Sequence, residues 1–269
     1  MDINMNMIKE LREQSGAGIV DCKAALLEAN GNLDVALEIL RKKGIAKAGK
    51  RADHAANQGV IKAWVDSQQQ WGCLLELRTE TDFVARNDKF QQLAEDILGA
   101  AVSSKVRDLE SLLALTIHGQ VIQEAIDNLS GVMGEKIVLS NYATLSSQGT
   151  VASYLHGGGA IGVLVAINKP SAGELAKDLA MQIAATNPQY LTPEQIPVSE
   201  IEKEKEIYRE QLKKEGKPAE IIDKIIDNKL SHYFTEVCLV KQEFIKDEQQ
   251  TIEQLLAGAT IEGYYRFQL

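Results

Sequence analysis

The spacing of apolar residues between positions 8 and 44 predicts three short helices. Asn30 and Gly31 are expected to end the second helix, Asn32 offers an N-cap for the third, and Gly44 is the expected C-terminal stop. A bundle this small has a core of marginal size, which favours a docking element over a catalytic domain. The three apolar stripes are Ile8 and Leu11, then Ile19, Cys22, Leu26 and Ala29, then Leu33, Ala36, Leu37 and Leu40.

From residue 59 onward the hydrophobic pattern occurs twice. The stretch GVIKAW at 59–64 corresponds to GTVASY at 149–154, and WGCLLEL at 71–77 corresponds to IGVLVAI at 161–167, both at an offset of 90 residues. Each copy predicts strand, turn, strand and then a helix, and a third strand closes each copy at 136–145 and 260–269. On the last strand, one alternating face is expected to carry Ile261, Tyr265, Phe267 and Leu269.

The two copies differ in length between their second strand and their helix. LAEDI at 93–97 matches LAKDL at 175–179 at an offset of only 82, so the first copy carries eight extra residues. They fall on RTETDFVARND at 78–88, and loops enlarged on a rigid scaffold are places where binding and catalysis concentrate. The helical stripes are Phe90, Leu93, Ala94, Ile97 and Leu98 in the first copy and Leu175, Ala176, Leu179 and Ile183 in the second, where a capping box from Ser171 to Glu174 is expected to open the helix.

A charged segment interrupts the second copy. TPEQ at 192–195 and PVSE at 197–200 are helix-start signals, and the stretch at 200–215 is charged at eleven of sixteen positions. The segment predicts an antiparallel helical hairpin that is too narrow to bury much of itself. Its apolar stripe fits its own core, a partner or a second copy of the chain, so dimerisation through the hairpin stays open. The stripes are Ile201, Tyr208 and Leu212, then Ile221, Ile222, Ile225 and Ile226.

Together these elements predict an α+β fold. It consists of an N-terminal three-helix bundle, a duplicated core of small antiparallel sheets with helices, and an inserted antiparallel helical hairpin. The expected division of the chain is 1–54 for the bundle, 55–145 for the first copy, 146–190 with 229–269 for the second copy, and 191–228 for the hairpin.

Composition narrows the classes of function. A net charge of -9 and a pI near 5.1 argue against general binding to nucleic-acid phosphates, which depends on an excess of Lys and Arg. The basic stretch RKKGIAKAGKR at 41–51 is interpreted as a helix end or solvated linker, with an RNA contact as the alternative. No apolar window approaches the roughly 20 residues that span a bilayer, and no secretory or transit signal is visible. The widely spaced Cys22, Cys73 and Cys238 indicate reduced thiols, hence a cytoplasmic protein.

Motifs that would indicate catalysis or a cofactor do not hold up. GGGAIG at 157–162 fits a dinucleotide-binding pattern, but the strand-like VLVAIN follows instead of a helix, so a hairpin turn is the better interpretation. HGGG at 156–159 resembles an esterase oxyanion motif, yet the chain has no G-x-S-x-G nucleophile elbow. The four histidines show no metal-ligand spacing. We therefore expect no enzyme activity, cofactor or metal site; the rival hypothesis is an enzyme with a Cys–His pair brought together by the fold.

The isolated aromatic residue in the extra segment, Phe83, has two interpretations. The ring could be a lid that packs back on its own helix. Alternatively, it could be a wedge that enters a pocket of a partner, where an aromatic anchor contributes roughly 2 to 4 kcal/mol. In the second case the neighbouring Asp82 brings a charge able to compete for hydrogen bonds or for a position near a metal ion.

Three stretches together resemble the bacterial elongation factor Ts family: residues 10–44, TDFVARNDKF at 81–90, and SYLHGGGAIGVLV at 153–165. The resemblance extends over nearly the whole chain. It implies a guanine-nucleotide exchange factor for elongation factor Tu, with a ubiquitin-associated-like (UBA-like) fold for the N-terminal bundle. A ubiquitin-type adaptor that uses the bundle alone is the alternative, but it leaves the duplicated core without a purpose.

The resemblance also implies roles for ten residues. The bundle would dock on the nucleotide-binding domain of the partner, and the T-D-F-V segment would dislodge the partner's magnesium ion. The implied docking contacts are Arg12, Ile19, Val20 and Lys23; the magnesium-dislodging segment is Thr81, Asp82, Phe83 and Val84; the secondary contacts are Met133 and His156.

The sequence departs from the family pattern at three places. Ala160 stands where arginine is common, Ser140 and Asn141 stand where paired arginines are usual, and the sequence stops at Leu269 where many members continue into a further helix. These departures affect the expected partner contacts that lie outside the three matching stretches. The exchange function remains the expectation.

Overall fold

The computed structural model describes residues 3–49, 51 and 53–269, with the backbone alone for 45–49. The N-terminal part contains α1 (Met5–Ser15), α2 (Ile19–Glu28) and α3 (Leu33–Gly49). The first copy contains β1 (Gln58–Val65), β2 (Trp71–Thr79), α4 (Asp82–Ala85), α5 (Asp88–Ser104), α6 (Leu109–Leu113), β3 (Thr116–Ile117), β4 (Gln120–Val121), α7 (Ile122–Met133) and β5 (Ile137–Ser146). The second copy and its insertion contain β6 (Thr150–His156), β7 (Ile161–Ile167), α8 (Gly173–Thr186), α9 (Val198–Lys214), α10 (Ala219–Val237), β8 (Glu243–Phe244), β9 (Asp247–Thr251), α11 (Ile252–Leu256) and β10 (Ile261–Gln268).

The three N-terminal helices pack around a small apolar core in which Leu11 and Leu26 are fully buried. Asn32 accepts a hydrogen bond from the backbone N–H of Val35 at 3.1 Å, which confirms the expected N-cap. Asn30 and Gly31 adopt left-handed backbone angles directly after α2, as predicted. The more specific likeness to a ubiquitin-associated domain stays a prediction.

The prediction that Gly44 ends the third helix is wrong. Helix α3 continues to Gly49, and Gly44 lies against α7, a helix that the sequence reasoning missed. A Cβ built on Gly131 of α7 would lie 2.5 Å from the Cα of Gly44. The glycine therefore allows two helices to approach closely and does not form a left-handed turn.

The first residues of the basic stretch at 41–51, whose side chains the structure describes, form ion pairs. Arg41 pairs with Glu124 of α7, and Lys43 pairs with Glu28 of α2 at 2.7 Å. These pairs support the interpretation of a helix end that neutralises nearby acids. Lys50 and the side chain of Lys47 lie outside the described residues.

Each copy of the core forms a three-stranded antiparallel sheet, and the two sheets have the same strand order. The orders are β1-β2-β5 in the first copy and β6-β7-β10 in the second. The outer face of the first sheet packs against α5 and α7, and the outer face of the second packs against α8. The inner faces meet each other, so the two copies share one apolar interface.

This interface depends on two glycines at equivalent positions of the repeat. A Cβ built on Gly72 would lie 2.9 Å from Cδ1 of Leu164, and one built on Gly162 would lie 3.0 Å from Cδ1 of Leu74. Each copy thus provides a glycine that makes room for the leucine of the other. The contact is reciprocal, as the internal repeat requires.

A buried carboxylate lies beside the contact between the sheets. Glu76 of β2 is fully buried; Arg78 pairs with it at 2.6 Å, and the side-chain amide of Asn141 donates a hydrogen bond to it. Arg78 also donates to the backbone oxygen of Gln268 on β10 at 2.7 Å. Asn141, one of the departures from the family pattern, therefore stabilises a buried charge at the point where the sheets are joined.

Two local predictions in the second copy are wrong. The capping box at Ser171 does not form, because Ser171 has a φ of 53° and α8 starts at Gly173 without a side-chain cap. On β10, a bulge after Ile261 shifts the register, so Ile261 packs on the helix side while Phe267 and Leu269 pack between the sheets. Tyr265 is 43% exposed.

The inserted segment forms two antiparallel helices, α9 and α10, joined by a turn. Leu212, Ile222 and Ile226 are buried between them. At the base of this hairpin, Glu200 accepts hydrogen bonds from the hydroxyls of Tyr190, at 2.8 Å, and Tyr233. Helix α10 continues to Val237, and the β8–β9 ribbon and α11, which the sequence reasoning missed, complete the second copy.

We expect Gly162→Ala to destabilise the fold by about 1 to 3 kcal/mol, because the new methyl group overpacks the interface between the sheets. Its Cβ would lie 2.4 Å from Cγ2 of Ile61. Urea unfolding measures the free energy of unfolding. Adding Ile61→Ala should restore space, so the double variant should lose less stability than the two single variants together; strict additivity would contradict the contact.

Candidate functional site

The extra segment of the first copy presents Phe83 to solvent. The residue lies on α4, and its side chain is 83% exposed, while the next two residues, Val84 and Ala85, are buried in the core of the first copy. An aromatic ring this exposed does not pack back on its own helix. The lid interpretation of Phe83 is therefore wrong, and the ring is free to contact another molecule.

The segment that carries Phe83 is held by a carboxylate from a distant part of the chain. Glu135, between α7 and β5, accepts hydrogen bonds from the backbone N–H of Thr81 at 3.0 Å and from its hydroxyl at 2.7 Å. The same carboxylate accepts a third bond from the hydroxyl of Thr79 at 3.1 Å. The hydroxyl of Thr81 in turn caps α4 by accepting from the N–H of Val84.

A second carboxylate connects the same two segments in the opposite direction, from the segment that carries Phe83 to the residue after Glu135. Glu80 accepts a hydrogen bond from the backbone N–H of Lys136 at 2.6 Å, and His54 lies 3.0 Å away. The bond from Lys136 is the main cause that lowers the pKa of the Glu80 carboxyl below its ordinary value. Residues 80–81 and 135–136 are thus tied together by acids on both sides. We call α4 with this support the tip.

Asp82 lies on the outer side of the tip. Its carboxylate pairs with Arg86, one helical turn further on, at 3.0 Å. The Arg86 side chain is 81% exposed and that of Asp82 is 44% exposed, so the pair contributes little to stability and opens easily. Asp82 is therefore available to a partner beside Phe83.

The four bundle residues expected to dock lie at the surface of α1 and α2. Val20 is 81% exposed and Ile19 is 49% exposed in the first turn of α2, and Arg12 and Lys23 are exposed as well. Leu27, at 58% exposure, continues this surface further along α2, and the sequence reasoning missed it. We call this set the bundle surface. Apolar side chains this exposed on a small domain are typical of an interaction site.

The two secondary positions have different environments. His156 is exposed at the end of β6, with its Nδ1 3.1 Å from the hydroxyl of Tyr154. The glycines that follow form the predicted hairpin turn, and the backbone oxygen of Gly159 accepts from the N–H of Ile61 at 2.9 Å. Met133 is half-buried at the end of α7, packed against the same core as the tip.

The predicted residues form separate surfaces and do not line one pocket. The tip is contiguous, the bundle surface lies on other helices, and His156 belongs to the second sheet. A cavity of about 480 Å³ lies between the bundle and α7, but other residues line it, among them Ser15, Gln120 and Asn128. Such an arrangement suits contact with a large partner at several points and does not resemble an enclosed substrate site.

The environment of two of the three cysteines disfavours them as nucleophiles. Burial raises the pKa of Cys73 to about 12 and that of Cys238 to about 11, so neither is a thiolate near neutral pH. Among residues 3–49, 51 and 53–269, no cluster of His, Cys, Asp and Glu has the arrangement of a metal site. No helix in the described part of the chain is long and apolar enough to cross a bilayer.

Comparison with known proteins gives consistent matches. The family model described as Elongation factor TS matches residues 80–269. Elongation factor Ts of a Nitratiruptor species is 42% identical over 285 residues, which cover the whole chain and 93% of the relative. Elongation factor Ts of Halothermothrix orenii is 41% identical over 100% of this chain and 93% of its own length, and that of Clostridium botulinum is 40% identical over 94% and 86%.

We expect Glu135→Gln to loosen the tip without unfolding the core. An amide has one acceptor oxygen in place of two and no charge to strengthen its hydrogen bonds, so the Thr81 amide should lose about 1 kcal/mol of protection. Native-state hydrogen exchange measures this loss directly. Glu210→Gln, at an exposed position of α9, is the matched control; equal protection of Thr81 in both variants would show that Glu135 does not hold the tip.

Proposed function

Because the chain belongs to the elongation factor Ts family of translation elongation factors, we propose that it is a guanine-nucleotide exchange factor for elongation factor Tu. It binds the GDP-bound GTPase and promotes release of GDP, after which GTP loads. The observation that carries the proposal is the exposure of Phe83 on a rigid tip.

The mechanism rests on the way a GTPase holds its nucleotide. GDP is bound by a phosphate cradle and by a magnesium ion, and magnesium tolerates little departure from octahedral geometry. In our proposal Phe83 inserts between structural elements of the partner and shifts the groups that support the metal and phosphate sites. Asp82 adds a negative charge next to the ring. A small displacement is then enough to weaken GDP binding, and this chain makes or breaks no covalent bond.

The support of the tip matters for this task. An aromatic anchor loses less free energy on binding if it is ordered beforehand. Glu135 fixes the backbone of Thr81, and buried Val84 fixes the inner side of α4. The ring therefore projects from a preformed base, and its insertion moves the partner and not the tip itself.

A second contact holds the complex together. In our proposal the bundle surface docks on the nucleotide-binding domain of the GTPase, with Ile19 and Val20 as the apolar centre and Arg12 and Lys23 as polar contacts. Two linked contacts bind more tightly than either alone, provided that both engage at once. His156, exposed on the second sheet, and Met133 are proposed as secondary contacts.

Linkage makes the exchange cycle reversible. If the factor lowers the affinity of the partner for nucleotide, nucleotide lowers the affinity for the factor by the same ratio. GTP binding therefore expels the factor, which can act again. This role places the chain in the cytoplasm and needs neither a cofactor nor direct contact with nucleic acid.

The hairpin of α9 and α10 is a candidate for dimerisation. Helix α9 carries two exposed apolar residues on different faces, Val198, 75% exposed, and Ile207, 39% exposed. Light scattering of the free protein and of the complex gives the stoichiometry. A monomer under all conditions would rule out the dimer and leave exchange untouched.

We expect Phe83→Ala to slow stimulated GDP release by roughly 30-fold, which corresponds to a loss of about 2 kcal/mol at an interface anchor. Stopped-flow release of fluorescent GDP from elongation factor Tu measures the rate. Ile245→Ala is the control, since it removes another exposed apolar side chain, 43% exposed, at the surface of the second copy. Parental rates for Phe83→Ala would refute the wedge mechanism.

Asp82→Ala tests the charged part of the tip separately. We expect a smaller decrease in the rate of GDP release than for Phe83→Ala, because the carboxylate is partly exposed to solvent and already paired with Arg86. The same stopped-flow assay applies. An unchanged rate would remove the carboxylate from the mechanism and leave the ring as the active element.

A further inference from the structure

Helix α7 connects both surfaces that contact the partner in the proposed function. Near its start, Glu124 pairs with Arg41 of α3; near its end, Gly131 touches Gly44 of α3; and Glu135, just beyond its end, holds the tip. One helix therefore carries the bundle on its side and the tip at its end.

The contact between α3 and α7 is made by backbone atoms. A Cβ built on Gly131 would lie 2.5 Å from the Cα of Gly44 and 3.0 Å from its carbonyl carbon and oxygen. Real side chains do not approach backbone this closely, so any residue larger than glycine at position 131 must push α3 away. Elsewhere in the contact between the bundle and the first copy, flexible side-chain atoms can move aside, such as the Nζ of Lys89 near Gly16.

We propose that Gly131 is a positioning residue: it sets the distance between the bundle surface and the tip so that both engage one partner at the same time. This inference rests on the proposed function. It assigns to a half-buried glycine that belongs to neither surface an effect on the rate of nucleotide release.

A displacement at Gly131 is not absorbed within either surface. The bundle has its own closed core around Leu11 and Leu26, so it moves as a unit. The tip is fixed by Glu135 and by burial of Val84, so it stays with the first sheet. The offset therefore appears between the two surfaces.

We expect Gly131→Ala to lower the maximal rate of stimulated GDP release about tenfold, because misplacement by about an ångström is costly for a geometry-dependent step. The concentration of factor that gives half the maximal rate should rise as well, because two contacts that no longer engage at once lose the advantage of linkage. Titration of the factor against elongation factor Tu with bound fluorescent GDP separates the two quantities.

Two other Gly→Ala variants are matched controls for the higher helix propensity of alanine, which is about 1 kcal/mol per position. Gly44→Ala lies across the same contact, but its Cβ would be 3.7 Å from the nearest atom, an ordinary contact. Gly99→Ala on α5 has no atom within 4 Å of its Cβ. Both should keep the parental maximal rate; a tenfold loss in either would contradict the geometric explanation.

A double variant tests whether Gly131 acts through the tip. In a Phe83→Ala background, Gly131→Ala should cause no further loss of maximal rate, because the misplaced ring is already gone. Losses that multiply would show a general structural defect and overturn the proposal. Thermal unfolding followed by circular dichroism verifies that each variant is folded at the assay temperature.

A charge reversal at the same joint provides a second route if Gly131→Ala is unstable. Glu124→Lys places a second cation beside Arg41 and should also lower the maximal rate, and Arg41→Glu with Glu124→Lys should restore it. An unchanged rate for Glu124→Lys, or no restoration in the double variant, would overturn the proposal.

The outcomes separate this inference from the proposed function. If the parental chain does not accelerate GDP release, the exchange function itself is wrong. If the parental chain is active and Phe83→Ala is impaired while Gly131→Ala keeps the parental maximal rate, only the positioning role of Gly131 is wrong.

Discussion

The close approach of the two sheets is the constraint on which the rest of the molecule depends. Gly72 and Gly162 each leave space for a leucine of the opposite copy, so the inner faces are fully occupied by one another. In the described part of the chain the helices pack on the outer faces, and the tip, the bundle and the hairpin attach outside this interface. The tip follows the end of β2, the bundle lies on α7, and the hairpin leaves the second copy. A rigid centre lets these three attachments keep fixed relations.

Three glutamates stabilise the places where the sheets, the tip and the hairpin are joined to the rest of the molecule. Glu76 is buried where the sheets are joined, Glu135 holds the tip, and Glu200 accepts from Tyr190 and Tyr233 at the base of the hairpin. The two tyrosine hydroxyls, that of Tyr233 first, lower the pKa of Glu200, so it stays ionised over the physiological range. A carboxylate suits such joints because it accepts several hydrogen bonds from different segments at once.

The bundle helices, the six strands of the two sheets, α5, α8 and the hairpin helices could be predicted from sequence because apolar spacing is a local property, and the repeat located the extra segment that carries Phe83. Helix α7, the β8–β9 ribbon and α11 were not predicted. Features that depend on contacts distant in sequence could not. Gly44 is locally indistinguishable from a helix-ending glycine, and only α7 shows its use. The three donors to Glu135 lie about 55 residues away in sequence, so no local motif could indicate these hydrogen bonds. Whether Phe83 was a lid or a wedge depended equally on what surrounds it in space.

The strand order has a consequence for biosynthesis. The first sheet has all three strands once residue 146 has been made, whereas the second sheet has β7 in its centre and receives β10 last. While the chain grows from its N-terminus, β7 has only β6 beside it, and its other edge is unpaired through the whole synthesis of the hairpin. Leu164 and its neighbours reach their full packing only after β10 has been synthesised. During synthesis the first sheet therefore has all its strands while the second sheet still lacks its last one.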